Sequence, residues 1–250
     1  MAVSYSDGRI TLDKAPANSY DIDFMRELGD AVDAASADAD ARVVVVSSAS
    51  EKFFSAGADI KTFLANDVEA NMEMIRVAHD SLSRMARSEK LFVAWIEGHA
   101  LGGGLEIALA CDLRYGADEG YRVGTPEVTL GLLPGNGGTQ RLPRLIGLGP
   151  ALDLLLTGRQ LQPDEARRLG VLNGLFATRD EFDAHIAKLA AGPPLAIANI
   201  KRAAYEGTQM KLDDALALER DLIEQLFRSS DSREGLSAFT EKRAPAFTGS

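Results

Sequence analysis

Two continuous apolar runs, with amphipathic stretches before and between them, organise the first half of the chain. The runs are Arg42–Ser47 and Leu91–Ile96. Runs of this length without polar alternation suit parallel strands that are buried on both faces. In the flanking segments, apolar residues recur every three or four positions, which predicts amphipathic helices. These positions are Ile22, Met25, Leu28 and Val32 in the first helix, and Met74, Val77, Ala78, Leu82 and Met85 in the second.

The second half of the chain changes from mixed to purely helical patterns. Further strands are predicted at Cys111–Tyr115 and Val171–Phe176. Between them, Pro163–Gly170 has an early proline, then acids, then bases and a final glycine, which is the order expected of a short helix. No strand pattern follows Gly192. The sequence therefore predicts an α/β core over residues 1–191 and a helical region over residues 192–250.

The helical region is expected to associate with another surface. Asp213–Phe227 is amphipathic, and Asp231 with Glu234 could cap a last helix. An exposed apolar stripe is predicted on the first of these helices, and an isolated chain could not easily cover it. The stripe consists of Ala215, Leu218, Leu222 and Leu226.

Two turns of small residues are candidates for part of an active site. Phe54–Asp59 and Gly102–Gly104 can both expose backbone N–H groups, and the second turn leads directly into a predicted helix. Two such N–H groups aimed at one carbonyl oxygen would form an oxyanion hole. Two carboxylates accompany the turns, Glu106 in the first turn of that helix and Glu127 after a proline. Taken alone, the glycines also suit close helix–strand packing, and each glutamate could be an ordinary solvated residue.

The order of several motifs makes the chemical interpretation specific. The strings are Phe54–Lys61 (FSAGADIK), Gly98–Glu106 (GHALGGGLE), Pro126–Glu127, Gly131–Arg141 (GLLPGNGGTQR) and Ala238–Arg243 (AFTEKR). From about Ile10 to the C-terminus, the chain resembles the enoyl-CoA hydratase/isomerase (crotonase) family. The resemblance implies a spiral of ββα turns with C-terminal helices that trimerise, and two such trimers can pair into hexamers. It places the oxyanion N–H groups on Ala58 and Gly103.

The resemblance also implies the reaction. Family hydratases have glutamates at the positions of Glu106 and Glu127, where one activates water and the other protonates the α-carbon, and Gly135 N–H helps to position these groups. Double-bond isomerases need only the position of Glu127, so an enoyl-CoA hydratase is favoured over a Δ3,Δ2-isomerase. Dienoyl-CoA isomerases carry a carboxylate eight positions beyond Glu127, where this chain has Gly135. A catalytically silent acyl-CoA- or RNA-binding relative is the alternative from another class.

Contacts with coenzyme A are expected in two segments of the chain, one after the turn at Phe54–Asp59 and one near the C-terminus. The family cradles CoA along the segment that matches Ala56, Ala58, Asp59, Ile60 and Lys61, although Asp59 could equally cap the following helix. At the C-terminus, Phe239 and Lys242 match residues that close over the CoA adenine and 3′-phosphate, usually from a neighbouring subunit. An aromatic ring and a cation three positions apart would share one helix face.

Composition and charge exclude several other classes of function. The net charge of −10 argues against nucleic-acid binding and requires local cations to capture an anionic CoA ester. His79, His99 and His185 show no ligand spacing, so no metal and no cofactor beyond the CoA of the substrate is expected. The single cysteine, Cys111, fits a buried thiol in a reducing compartment. Without an apolar span or signal-like N-terminus, the sequence predicts a cytoplasmic protein that does not bind membranes.

Overall fold

A computed structural model describes all residues from 1 to 250. It contains ten strands, eleven α-helices and one 3-10 turn. The strands are β1 (Val3–Ser6), β2 (Arg9–Leu12), β3 (Val43–Ser48), β4 (Phe53–Ser55), β5 (Leu91–Ile96), β6 (His99–Leu101), β7 (Leu113–Ala117), β8 (Val123–Gly124), β9 (Gln160–Leu161) and β10 (Gly174–Phe176). The helices of the core are α1 (Ile22–Ala37), α2 (Ile60–Ala65), α3 (Val68–Arg87), α4 (Gly103–Ala110), α5 (Gly138–Ile146), α6 (Leu148–Thr157), α7 (Pro163–Arg168) and α8 (Arg179–Ala190), with the 3-10 turn at Pro126–Leu130. The remaining helices are α9 (Pro194–Gly207), α10 (Leu212–Arg228) and α11 (Ser230–Glu241).

The strands form two sheets that the chain visits alternately. The larger sheet has the order β1-β2-β3-β5-β7-β10 and is parallel except for the β1–β2 hairpin. The smaller sheet has the order β4-β6-β8-β9, in which only β9 is antiparallel. Three times along the chain, a strand of the larger sheet is followed by a strand of the smaller sheet and then by one or more helices. The three repeats begin at β3, β5 and β7. The repetition produces the spiral of ββα turns that the family resemblance implied.

The two apolar runs are the central strands β3 and β5, and their side chains are buried on both faces. Val44, Val46, Phe92, Ala94 and Ile96 pack in the main core with α1, α3 and α4. The alternate residues face the opposite side of the sheet, where they form a second cluster with Phe182 of α8. The residues of that second cluster are Val43, Val45, Leu91, Val93, Trp95 and Phe182. Burial on both faces explains why these strands carry no polar alternation.

Two predicted strands begin later in the chain than their sequence patterns. Val171 and Leu172 belong to the turn that ends α7, since their N–H groups donate to Ala166 O at 2.9 and 3.2 Å. Strand β10 therefore begins only at Gly174. Likewise, Cys111 is a buried residue at the end of α4, and β7 starts at Leu113. The apolar character of these residues reflects burial and not strand pairing.

The prediction for the cap of the last helix was wrong. Ser229 caps α11, because its hydroxyl accepts the N–H of Ser232. Asp231 instead accepts the N–H groups of Thr248 and Gly249, at 2.7 and 2.9 Å. Glu234 pairs with Arg243, which also follows the helix. Both acids thus hold the C-terminal tail against α11, which sequence spacing along one helix could not reveal.

The exposed stripe on α10 also differs from the prediction. Ala215, Leu218 and Leu226 are partly covered and Leu222 is buried, because α10 packs against α9. A different set of apolar side chains on α10 faces solvent, and its spacing again fits one helix face. This outer stripe consists of Leu212, Leu216, Ile223 and Phe227. None of the helices has the length and apolar character needed to cross a membrane.

Candidate active site

The turn after β4 leaves one backbone N–H group without a partner. Residue Ala58 pairs with Tyr20 as an isolated parallel bridge, in which Asp59 N–H donates to Tyr20 O at 2.9 Å. The N–H groups of Ala56 and Gly57 also donate, to a backbone carbonyl and to a serine hydroxyl. Only Ala58 N–H in this turn donates to no atom of the chain. The free donor lies at the position that the family resemblance assigned to the oxyanion hole.

The turn before α4 supplies a second free donor next to the first. Gly102 N–H donates to Gly124 O at 2.8 Å, whereas Gly103 is the first residue of α4 and its N–H has no partner in the helix. The two turns touch closely at Gly57, where an added Cβ would lie 3.2 Å from Gly103 N and 2.8 Å from Leu101 O. Gly57 also has a φ of +90°, which side chains disfavour. A glycine at this position therefore allows the two unpaired N–H groups to lie near each other.

Glu106 is a buried carboxylate fixed by backbone donors. It projects from the first turn of α4 and is only 1% exposed. Its Oε1 accepts the N–H groups of Asn136 and Gly138, at 2.8 and 2.6 Å, both from the loop that leads into α5. Burial raises the pKa of Glu106 to about 7, the two N–H donors oppose this rise, and the charge of Glu127 adds to it. The carboxylate can consequently ionise near neutral pH in a fixed orientation.

Glu127 is a partly buried carboxylate with a free oxygen. It lies in the 3-10 turn that follows β8, and its Oε2 has no hydrogen-bond partner although that atom is buried. Burial raises the pKa of Glu127, with no side-chain cation to oppose it. Its Oε1 would lie 2.7 Å from a Cβ added at Gly102, so the carboxylate reaches the turn before α4. The missing side chain at Gly102 gives this acid access to the unpaired N–H groups.

Gly135 lies in the loop that holds Glu106. Its N–H group donates to no atom of the chain, and the next residue is Asn136, which donates to Glu106. A Cβ added at Gly135 would lie 3.2 Å from the Ile75 side chain on α3. The loop therefore presents a third unpaired N–H group close to Glu106, between α3 and α4.

Tyr20 and Asn136 are site residues that the sequence analysis missed. The Tyr20 hydroxyl accepts Asn136 Nδ2–H at 2.6 Å and would lie 2.4 Å from a Cβ added at Gly103. Burial and the nearby charges of Glu106 and Glu127 raise the pKa of Tyr20, so its hydroxyl stays protonated. Tyr20 thus forms the floor beneath Gly103. The sequence around Tyr20 gives no signal of this role, because its partner Asn136 is far away along the chain.

The residues expected to bind CoA lie in two separate places. Asp59 caps α2 by accepting the N–H groups of Lys61 and Thr62, at 2.9 and 3.3 Å. The exposed side chains of Ile60 and Lys61 follow directly, next to Ala58, and Lys61 forms no ion pair. This end of the candidate binding surface is continuous with the free N–H groups.

Phe239 and Lys242 lie in the helical region, away from the glutamates. The prediction that they share one helix face was wrong, because Lys242 lies beyond the end of α11. Helix α11 ends at Glu241, and Lys242 adopts a φ of +55° beyond it. Phe239 is 87% exposed, and the packing partner of α11 is α10 and not the loops around the glutamates. Any contact of these two side chains with a CoA group therefore has to be made from the surface of the helical region.

Two unpaired N–H groups beside two carboxylates of different environment define a class of site that can stabilise an oxyanion and move protons. Comparison with known proteins identifies the family of the chain. The sequence profile of the enoyl-CoA hydratase/isomerase family matches residues 6–250. The chain belongs to this family.

Individual relatives agree with the family profile. The short-chain-enoyl-CoA hydratase of Clostridium acetobutylicum is 34% identical, over 94% of this chain and 91% of its own length. The crotonyl-CoA hydratase of Syntrophomonas wolfei is 36% identical, over 92% of this chain and 89% of its own. A solved enoyl-CoA hydratase structure from Geobacillus kaustophilus has a TM-score of 0.94 at 44% identity and covers 99% of this chain and 96% of that one. The expected family and fold are confirmed.

Proposed function

We propose that this protein is an enoyl-CoA hydratase that adds water in syn geometry to a trans-2-enoyl-CoA and yields a 3-hydroxyacyl-CoA. Whole-chain similarity to enzymes named as enoyl-CoA and crotonyl-CoA hydratases supports the hydratase activity. The observation that carries the proposal is the presence of two carboxylates, the buried Glu106 and the partly buried Glu127, beside the two unpaired N–H groups. A double-bond isomerase would need one carboxylate only.

The oxyanion hole would stabilise the enolate of the thioester. When water attacks C3, negative charge moves to the thioester oxygen. Ala58 N–H and Gly103 N–H would donate to that oxygen, and both are free of other partners. Donors that are already oriented need no rearrangement as the charge develops, which is why such groups contribute strongly to catalysis.

The two glutamates would divide the proton transfers. Two backbone N–H groups favour the ionised form of Glu106, which would orient water and remove its proton during attack at C3. Burial raises the pKa of Glu127, whose buried Oε2 has no partner, and this carboxyl group would deliver a proton to C2. Gly135 N–H would help to hold the attacking water. Because the carboxylates interact, the two titrations belong to the pair.

The substrate would bind with its CoA along Ala56, Ala58, Asp59, Ile60 and Lys61. Lys61 supplies a free cation for an anionic ester on a protein whose net charge is −10. The chemistry proposed here uses only these side chains, backbone N–H groups and water, so it requires no metal and no cofactor besides the CoA of the substrate.

Assembly into trimers, and of trimers into hexamers, is also part of this proposal. The outer stripe of α10 is apolar and exposed, and a neighbouring copy of the chain would cover it. Phe239 and Lys242 would then reach the CoA bound to that neighbour. We propose a cytoplasmic location for the assembly, which suits its single buried Cys111 thiol.

The direct test is hydration of crotonyl-CoA, followed by the loss of enoyl-thioester absorbance. In D2O, the expected product is 3-hydroxybutyryl-CoA with one deuterium at C2, syn to the new hydroxyl. A 3-enoyl-CoA serves as the isomerase substrate, and the Glu106→Gln/Glu127→Gln double variant controls for contaminating activity. A protein that converts the 3-enoyl ester but leaves crotonyl-CoA unchanged would be an isomerase and would contradict the proposal.

A further inference from the structure

An exposed histidine on α3 touches the loop that holds Glu106. His79 Nε2 lies 2.6 Å from Gly135 O. A carbonyl oxygen can only accept a hydrogen bond, so the proton must be on Nε2 and His79 must donate. This bond joins α3 to the loop before α5, where Ile75 also contacts Gly135. No other side chain donates to Gly135 O.

The accepting carbonyl shares its peptide group with a donor to Glu106. Gly135 C=O and Asn136 N–H point in opposite directions from one planar unit. Asn136 N–H donates to Glu106 Oε1 at 2.8 Å. His79 and Glu106 are therefore joined through a single peptide group. Hydrogen bonds in such a chain polarise one another, so a donor on the carbonyl strengthens the N–H donor on the other side.

The second donor to Glu106 has an equivalent arrangement made from backbone alone. Gly138 N–H shares its peptide group with Gly137 C=O, which accepts the N–H groups of Gln140 and Arg141 at 3.0 and 2.8 Å. The first turn of α5 thus polarises this peptide. The Gly135–Asn136 peptide precedes the helix and has no backbone donor on its carbonyl. His79, on α3, supplies a donor to the Gly135 carbonyl, as the first turn of α5 supplies donors to the Gly137 carbonyl.

We propose that His79 is a positioning residue for the water-activating carboxylate, acting on Glu106 through the Gly135–Asn136 peptide. It fixes the plane of that peptide, and with it the Asn136 N–H group that donates to Glu106. This inference rests on the proposed role of Glu106 and adds a residue that touches neither substrate nor water.

Other charged groups near Glu106 act by different routes. Glu127 from the 3-10 turn raises the pKa of Glu106, and Arg141 from α5 lowers it. Arg141 donates to Asn136 O at 2.8 Å, which is the next carbonyl along the loop. The Tyr20 hydroxyl, from the segment before α1, stays uncharged. Only His79 acts on the carbonyl that is paired with Asn136 N–H, so a change at His79 leaves these other groups in place.

The test compares His79→Leu, which removes the donor, with His79→Gln, which keeps a neutral N–H donor of similar reach. For His79→Leu, kcat on crotonyl-CoA should fall about threefold to tenfold, as for the loss of one hydrogen bond, with KM nearly unchanged. A weaker Asn136 donor stabilises the carboxylate less, so the acidic limb of kcat/KM should move to higher pH by about half a unit. His79→Gln should remain near wild type in both respects. Arg76→Gln, which breaks only a surface pair on α3, is the matched control.

Two results would overturn the proposal. One is a His79→Leu enzyme with the wild-type kcat and acidic limb, and the other is a His79→Gln enzyme as impaired as His79→Leu. Glu106→Gln separates these outcomes from a failure of the proposed function. If Glu106→Gln is inactive while His79→Leu matches wild type, only the role of His79 is wrong. If Glu106→Gln retains full activity, the assigned function of Glu106 is wrong.

Discussion

The loop and helix around Glu106 and the 3-10 turn that carries Glu127 present the same chemical group in opposite ways. Glu106 is enclosed, and one of its oxygens accepts two backbone N–H groups. Glu127 is partly open, and one of its oxygens is buried with no partner at all. Hydrogen bonds from N–H groups favour a charged carboxylate, and unpaired burial favours a neutral one. In the proposed mechanism, these surroundings would assign the role of base to Glu106 and the role of acid to Glu127.

The contrast also explains why so much of the structure converges on the first region. Loop 135–138, α4, α5, Tyr20 and His79 all support Glu106, whereas Glu127 is placed by a single turn and by the missing side chain at Gly102. A base has to hold both itself and a water molecule in place. An acid that protonates a carbon of a bound substrate needs only a free oxygen near that carbon.

The largest expected effect comes from the turn that carries the proposed oxyanion donor Ala58. Ala58→Pro deletes the proposed N–H donor and should lower kcat by about 10²–10³-fold, the usual effect of losing one oxyanion donor. Ala58→Ser keeps the donor and should cost far less. The rate of crotonyl-CoA hydration measures both.

Proline can also distort the turn, so the circular dichroism spectrum and CoA affinity of Ala58→Pro have to match those of Ala58→Ser. If a well-folded Ala58→Pro enzyme were as fast as Ala58→Ser, Ala58 would not be an oxyanion donor. The oxyanion hole would then have to be formed by a different turn.

A smaller loss of activity is expected from a change at Tyr20. Its hydroxyl holds Asn136, which in turn donates to Glu106. Tyr20→Phe removes the acceptor of Asn136 Nδ2–H and leaves that buried amide unsatisfied. Urea unfolding should show a loss of about 1–3 kcal/mol in the free energy of unfolding. We also expect kcat to fall by about tenfold, as for a lost positioning contact of about 1.4 kcal/mol.

Tyr121→Phe provides a matched control, since this buried tyrosine also makes one hydrogen bond, to Ala117 O at 3.0 Å. It should lose a similar amount of stability and keep its kcat. An equal fall of kcat in both variants would show that Tyr20 acts through stability alone.

The burial of Glu106 should make stability and activity depend on pH in opposite directions. Its pKa of about 7 lies above the value near 4.3 expected in the unfolded chain. The folded state therefore binds this proton more tightly, and the stability that this contributes is present below about pH 4.3 and is lost as pH rises through 7. Activity requires the ionised base, so kcat/KM should rise over the same range.

Thermal unfolding of the wild type and Glu106→Gln from pH 5 to 8 measures the stability effect. The melting temperature of the wild type should decline more steeply than that of the variant. Parallel curves would mean that Glu106 titrates like an exposed glutamate, and the contrast with Glu127 would lose its basis.

The smallest effect on the chemical step is expected from the helical region. Phe227→Glu places a charge in the outer stripe of α10 and should shift the assembly from trimers or hexamers towards monomers in light scattering at micromolar concentration. Leu64→Glu on α2, where the side chain is even more exposed, is the control. A monomeric wild type would contradict the proposed assembly.

The sequence predicted the elements whose cause is local. The buried runs of β3 and β5, the periodicity of α1 and α3 and the end signals of α7 all depend on neighbouring residues, so they could be identified in advance. The same holds for Glu106 and for the two glycine turns, because their motifs are short and ordered. Asp59 could be assigned as a cap for the same reason.

Features that depend on distant partners could not be predicted in this way. Asp231 and Glu234 were expected to cap α11, but they bind the C-terminal tail instead. The α10 stripe that helical spacing predicted to be exposed is covered, since α10 packs against α9. Tyr20, Asn136 and His79 act through contacts between segments more than 50 positions apart. Nothing in the residues next to Tyr20 or His79 indicates a role near Glu106.

The most direct test of the central claim, that two carboxylates in different surroundings share one hydration reaction, is kcat of Glu106→Gln and of Glu127→Gln on crotonyl-CoA. Each glutamine keeps the size of the side chain, and at position 106 an oxygen remains for the Asn136 and Gly138 donors. Each substitution should lower kcat by at least about 10²-fold, because base and acid are separate tasks. A variant at either position that hydrates crotonyl-CoA at nearly the wild-type rate would contradict the two-carboxylate mechanism.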